Sequence, residues 1–379
     1  MHSIGDFHVF IDNNDIGAMV TSMSLYESIH GNLKGSIYVE DNINFFENFF
    51  RGPAMTAVKI SYSYMEVPLE IILYANGVTD QIITKKGKSY NVDLISVNTI
   101  NEAVTRICNA YSGTSNDILS ALWLETHGET NILHLNSDTA SKGKYIIPNI
   151  SAAKAMKNIT NVSFDKNYTG MFLYQRLIDQ GDTRFKSIWD MVNDPFKPNG
   201  KDVFEIHNEE ITIDTATAVA GSVGSAGSFI LTNYNKDFVK KLAGGMWGQK
   251  ITEIALDETT DKVLPVKEFT DIEIMKFSIS KELYGTEVSL FTPESSVHEE
   301  IIRNMKYRLF NTNLDVADAV AIPGLGCGQA IEVLQGGSNI SRTKSDGPYL
   351  VASINHIYIM LDGEMKYAQN IGLVREGTT

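Results

Sequence analysis

Apolar and polar residues alternate through most of the first hundred positions. Phe7, Val9 and Ile11 share one parity before the polar run Asp12-Asn13-Asn14-Asp15. Leu33, Gly35, Ile37 and Val39 alternate with Lys34, Ser36, Tyr38 and Glu40, and Val58, Ile60, Tyr62 and Tyr64 repeat the period. A period of two is that of a strand with one buried face. Glu70 to Tyr74 is a short apolar run. Val78 to Thr84 and Ser89 to Val97 flank Lys85-Lys86-Gly87-Lys88, which predicts a hairpin. Asn44 to Phe50 departs from the pattern, because Phe45, Phe46, Phe49 and Phe50 recur at helical spacing. One helix among about six strands predicts a small β-barrel or sandwich capped by a helix.

The period changes near residue 99. Ile100, Ala103, Val104 and Ile107 are spaced as on a helix, and Ser115 is placed to cap a second helix carrying Ile118, Leu119, Leu122 and Trp123. Ala152, Ala155, Met156 and Ile159 predict a third helix over 151–159, Met171 to Tyr174 a strand, and Phe185 to Val192 a short fourth helix ahead of Pro195 and Pro198. Strands return after residue 200. Phe204 to Ile206 and Ile211 to Ile213 form a predicted hairpin, and residues 221–228 form a small-residue loop. Asp271 to Lys281 alternates weakly, Glu299 to Phe310 has a helical stripe, and Leu314 to Ile322 and Ile331 to Leu334 read as strands. Tyr349 to Ile359 and Met365 to Leu373 flank Asp362-Gly363, a type I′ hairpin signal. No repeat of 20–50 residues is present.

Composition narrows the function classes. The chain has 379 residues, 43% apolar and 21% charged, which is ordinary for a folded protein of several domains. No run approaches the roughly 18 uncharged apolar residues of a membrane span. The N-terminus lacks the basic start and apolar run of a signal peptide. The net charge of −14 comes without a dense Lys/Arg block, which argues against a nucleic-acid grip. Cys108 and Cys327 are too few for a disulfide framework or a cysteine zinc site.

Catalytic motifs end as near misses. Gly87-Lys88-Ser89 matches the end of a phosphate-binding loop, but Ile82 stands where that loop needs glycine. Gly324-Leu325-Gly326-Cys327-Gly328 has the wrong third spacing for a dinucleotide fingerprint and precedes a strand. His298-Glu299-Glu300 would need histidine at Ile302 to hold zinc. His127-Gly128-Glu129 lacks the paired cysteines of a zinc deaminase and reads as exposed loop. Val223 replaces the glycine of a nucleophile elbow at Gly224-Ser225-Ala226-Gly227. No catalytic, cofactor-binding or metal-binding residue is therefore assigned, and the interface residues stay unknown. Trp123 and Trp189 lie on helical stripes and are expected to pack in cores.

The layout resembles the baseplate hub protein of contractile-tailed phages, which is similar to the base of the secretion-system spike protein. Three stretches carry the resemblance: Phe7 to Glu40; the hairpin Val78–Val97 with the helix pair at 100–123; and Leu314 to Val374, with Ile322-Pro323-Gly324-Leu325-Gly326-Cys327-Gly328, Ile331-Glu332-Val333, Gly347-Pro348-Tyr349-Leu350-Val351 and His356 in that order. The resemblance implies an α+β, mainly β fold, with two tail-tube-like β-barrel domains and an α+β domain between them. The expected division is 1–100 for the first barrel, 101–200 for the α+β domain, 201–235 with 305–379 for the second barrel, and 236–304 as an insertion completing the α+β part. It also implies a homotrimeric ring without enzymatic activity or cofactor, which adapts a sixfold tail tube to a threefold central spike and continues the DNA channel. The partners would be the spike, the tube and other baseplate proteins, with no sequence-specific nucleic-acid binding, in a virion made in the host cytoplasm. An acidic channel wall would let DNA pass by repelling its phosphates. The alternative is a virion-associated cell-wall hydrolase using two carboxylates about 5–9.5 Å apart. A receptor-binding adhesin is a third reading, without a repeat or loop cluster to favour it.

Overall fold

The structure is a computed structural model. It describes residues 2–45, 56–65, 67–84, 87–129, 131–140, 142–167, 169–198, 200, 203–207, 223–225, 228–234, 250–253, 287–290, 309–310, 312–319, 322, 324–334 and 346–375. It is mainly β with a few helices, as the sequence predicts.

The N-terminal unit is built from β1 (His2–Ser3), β2 (Gly5–Ile11), β3 (Asn14–Asp15), β4 (Val20–Ser28), β5 (Lys34–Asp41), β6 (Ala57–Tyr64), β7 (Val67–Thr84) and β8 (Gly87–Ile95). The two apolar runs predicted at 70–74 and 78–84 are one strand of 18 residues. β4 was not legible as a strand, because its polar face is Ser/Thr-rich and one of its buried positions is Glu27.

The middle unit alternates: α1 (Val97–Val104), β9 (Arg106–Thr114), α2 (Ser115–His127), β10 (Leu133–Leu135), β11 (Lys142–Ser151), α3 (Ala152–Val162), β12 (Met171–Gln175), β13 (Thr183–Ser187) and α4 (Ile188–Val192). Ile107 belongs to β9, not to the preceding helix, because Thr105 already has extended backbone. Thr114, rather than Ser115, caps α2. Its hydroxyl accepts the Asp117 N–H while Asp117 accepts the Thr114 N–H, a reciprocal capping box. The predicted helix over 185–192 is half strand: Phe185 is in β13 and the helix starts after its Ser187 cap. β9 and β11 form a separate antiparallel ribbon that sequence reading missed.

The C-terminal unit contains β14 (Glu205–His207), β15 (Val223–Ser225), β16 (Ser228–Tyr234), β17 (Lys250–Glu253), β18 (Glu287–Leu290), β19 (Thr312–Ala319), β20 (Ala330–Leu334), β21 (Gly347–Leu361) and β22 (Glu364–Arg375). Val223 to Ser225, expected in a loop, pair in parallel with β14. Most of the helix expected at 44–50, the strand at 211–213, the alternation at 271–281 and most of the helix at 299–310 lie outside the described residues. The turn at Asp362-Gly363 is as predicted, with φ of 54° and 82°.

The strand pairings organise the molecule. Pairing runs from β21 through β4, β5, β8, β7 and β6 to β2, while β1, which precedes β2 in the chain, pairs with β22, itself the partner of β21. The core of these strands holds Val9, Leu25, Ile37, Ile60, Leu73 and Val92 together with Tyr358 and Tyr367. The C-terminal hairpin, which the sequence assigns to the second β-unit, thus gives its distal half to the first. Its proximal half pairs with β19 and β20 over a second core that includes Leu314, Val333, Tyr349 and Ile371. A third core, with Leu119, Leu122, Trp123, Met156 and Phe185, lies in the middle unit. One pair of long strands therefore runs through both β-units.

Candidate assembly site

The most constrained polar cluster lies where these units meet. β4 carries Met23 and Leu25 inward, and the same parity buries Glu27 completely. A buried carboxylate is tolerated only when hydrogen bonds replace its water. Glu27 Oε2 accepts the Leu177 N–H at 2.6 Å, and Oε1 accepts the Cys327 N–H at 2.9 Å. One side chain thus ties the N-terminal unit to the turn after β12 and to the Gly-rich turn before β20. In that turn Gly328 has φ of 78°, and a Cβ there would lie 2.1 Å from the Tyr174 hydroxyl, so no other residue fits. Burial, reinforced by Glu27, pushes the Cys327 thiol well up, so it stays protonated.

Neighbouring polar groups extend the tie. The Leu33 N–H donates to Gln175 Oε1 at 3.0 Å, and the Gln175 amide donates to the Gly181 carbonyl at 2.5 Å. Asp179 accepts two bonds each from Arg176 and Arg184, the shortest both 2.6 Å. Burial opposes ionisation of Asp179, but the two guanidinium groups hold its carboxyl at about 2. On the other side, His356 Nδ1 lies 2.6 Å from the Tyr367 hydroxyl, which also accepts from the Gln369 amide at 3.0 Å. Gln369 in turn accepts the Ile322 N–H at 3.0 Å. The Tyr358 and Tyr367 rings are nearly parallel at 4.6 Å, and Tyr62 hydrogen-bonds Tyr358. Burial raises all three phenols, so they remain neutral donors.

This is a brace: hydrogen bonds that fix the relative setting of three units. The residues singled out from sequence fall mostly outside it. Lys88 and Ser89 lie on β8, in a hairpin as expected. His127 is not exposed loop; it ends α2 with its side chain buried, 4.0 Å from the Trp123 ring and 3.6 Å from Glu102. Trp123 is buried and Trp189 half-buried. Cys327 is buried, whereas Cys108 is exposed on β9. His298 and Gly227 lie outside the described residues. Among the described residues no cluster of three or more His, Cys, Asp or Glu is placed to hold a metal ion, and no helix is long and apolar enough to cross a membrane. Sequence reading missed Glu27, Gln175, Arg176 and Gln369; the one visible signal was Gln369, a polar residue at the inward parity of an otherwise apolar alternation.

Comparison with known proteins identifies this fold. No family model and no curated protein sequence matches the chain. Solved structures do. A tail protein from Neisseria meningitidis MC58 superposes with a TM-score of 0.61 over 99% of this chain and 97% of its own, at 9% identity. The 43 kDa tail protein of prophage MuSo2 from Shewanella oneidensis gives 0.60 over 98% and 99%, also at 9% identity. A chain of the half-lidded Francisella PdpA–VgrG complex gives 0.52 over 98% of this chain and 58% of its own, at 8% identity. The chain has the fold of tail proteins, one of them from a prophage, and of part of a chain in the PdpA–VgrG complex, in line with the hub resemblance in its sequence.

Proposed function

We propose that this protein is a structural hub subunit of a contractile phage tail. The observation that carries the reading is the end-to-end match of the chain to phage tail proteins, which covers nearly all of both partners. In this reading three copies close a ring. Each copy contributes two β-units linked by the shared β21–β22 hairpin, so three chains present six units to a sixfold tail tube and threefold symmetry to a central spike. The ring continues the DNA channel, and the protein acts by shape, without turnover or cofactor. The Francisella neighbour, which comes from a complex named for VgrG, supports a spike-type partner. The protein would reside in the virion baseplate beside tube, spike and other baseplate proteins, after synthesis in the host cytoplasm.

A ring hub needs rigid subunits, and the buried brace at Glu27 supplies a reason for rigidity. Cyclic closure also removes strand edges that would otherwise be left to aggregate. The test is the mass of the purified protein by light scattering across a concentration series. The reading expects three times 42.0 kDa. A species of one copy at every concentration, or one that cleaves cell-wall sugars, overturns it.

A further inference from the structure

Strand β7 changes partner halfway. Residues 67–74 pair with β6, and residues 74–84 pair with β8 on the opposite side, with Tyr74 common to both ladders. Each half therefore has an edge with no strand neighbour among the described residues, and the two edges lie on opposite sides of one strand. The N-terminal edge can be read residue by residue. Ala75 N–H donates to the Thr56 carbonyl. Successive residues of an antiparallel ladder direct their polar groups to opposite edges. The odd positions 69, 71 and 73 thus bond β6, while Glu70 and Ile72 direct their N–H and C=O to the open side. Pro68 shares their parity, where its missing N–H costs no ladder bond.

That side is a groove of about 350 Å³ between β7 and the middle unit, lined by Ile72, Tyr74, Asn98, Ile132, Gln180 and Asp182 among others. Ile72 and Ile132 are 51% and 53% exposed, apolar surface that an inserted strand would cover. The two carboxylates at the groove already have partners: Glu70 pairs with Lys59 at 2.8 Å, and Asp182 lies 2.9 Å from His134. The C-terminal half of β7 offers the complement. Ile82 and Ile83 are 51% and 69% exposed, and the sequence that follows is Lys85-Lys86-Gly87-Lys88.

We propose that the open edge at Glu70–Ile72 receives the C-terminal half of β7 from a second copy of this chain. The pairing adds a strand across the groove and covers Ile72 with Ile82 or Ile83. Donor and acceptor edges differ, so the contact is heterologous and repeats around a ring until it closes. The inference rests on the trimeric reading above and names the surface that builds it.

The experiment is disulfide trapping in the full chain. Cys108 is first replaced, as Cys108→Ser, because it is exposed; Cys327 is buried and stays. Ile72→Cys and Ile83→Cys are then introduced singly and together, with circular dichroism to verify folding. Within one copy the two positions are eleven residues apart along a strand, about 35 Å, far beyond the roughly 6 Å that a disulfide spans. A bond between them must join copies. Mild oxidation is expected to yield covalent two-copy and three-copy species from the double variant alone, lost on reduction. If light scattering gives three copies but no covalent species forms, or the single variants cross-link equally well, this edge pairing is overturned while the ring stands. If the mass is that of one copy and nothing cross-links, both fail.

Discussion

At the scale of the residue, stability concentrates in a few buried polar groups. Glu27 is the clearest, because its carboxylate satisfies two backbone N–H groups from distant turns, 150 and 300 positions along the chain. Removing it would leave both donors buried and unpaired, at about 1–3 kcal/mol each. Glu27→Ala is expected to lower unfolding free energy by about 2–5 kcal/mol, read from the denaturant midpoint. A change below about 0.5 kcal/mol would show that the brace does not hold the units together. This residue was hidden in the sequence for a physical reason. A glutamate on a Ser/Thr-rich stretch has the appearance of a solvated face, and only the remote partners Leu177 and Cys327 make its burial tolerable. His127 misled in the same way: it stands between Thr126 and Gly128 in a stretch with polar neighbours, yet the turn of helix it ends packs against Trp123.

At the scale of the element, local patterning was a good guide wherever one face is buried and the other wet. β2, β5, β6 and the Asp362-Gly363 hairpin follow from alternation and turn chemistry alone. The ribbon of β9 and β11 did not, because most of β9 is exposed and carries no apolar period. Partner choice was also invisible. Nothing local says that β21 and β22 should serve two cores, since the register that joins Ser353–Ile359 to β4 depends on residues more than three hundred positions away. This sharing makes a prediction. A chain ending at residue 346 lacks β21 and β22, and with them Tyr358, Met365 and Tyr367 leave the first core. It is expected to lose its near-ultraviolet tyrosine signal and its cooperative thermal transition. Retention of both would mean that the N-terminal unit folds without the hairpin.

At the level of the whole molecule, the fold matches tail proteins end to end, and β7 has edges without a strand neighbour among the described residues. The sequence resemblance, drawn from the order of strands and the run from Ile322 to Val351, agreed with the fold found by superposition even at 9% identity. Order of elements survives when individual residues do not, because cores tolerate substitution that keeps pattern and volume. What the order of elements leaves unstated is how copies meet; in the proposed function three chains close a ring. Electron microscopy of the purified protein tests it most directly. The account predicts class averages of a closed ring with threefold symmetry and an open centre. Isolated asymmetric particles, or twofold dimers without a channel, would contradict it.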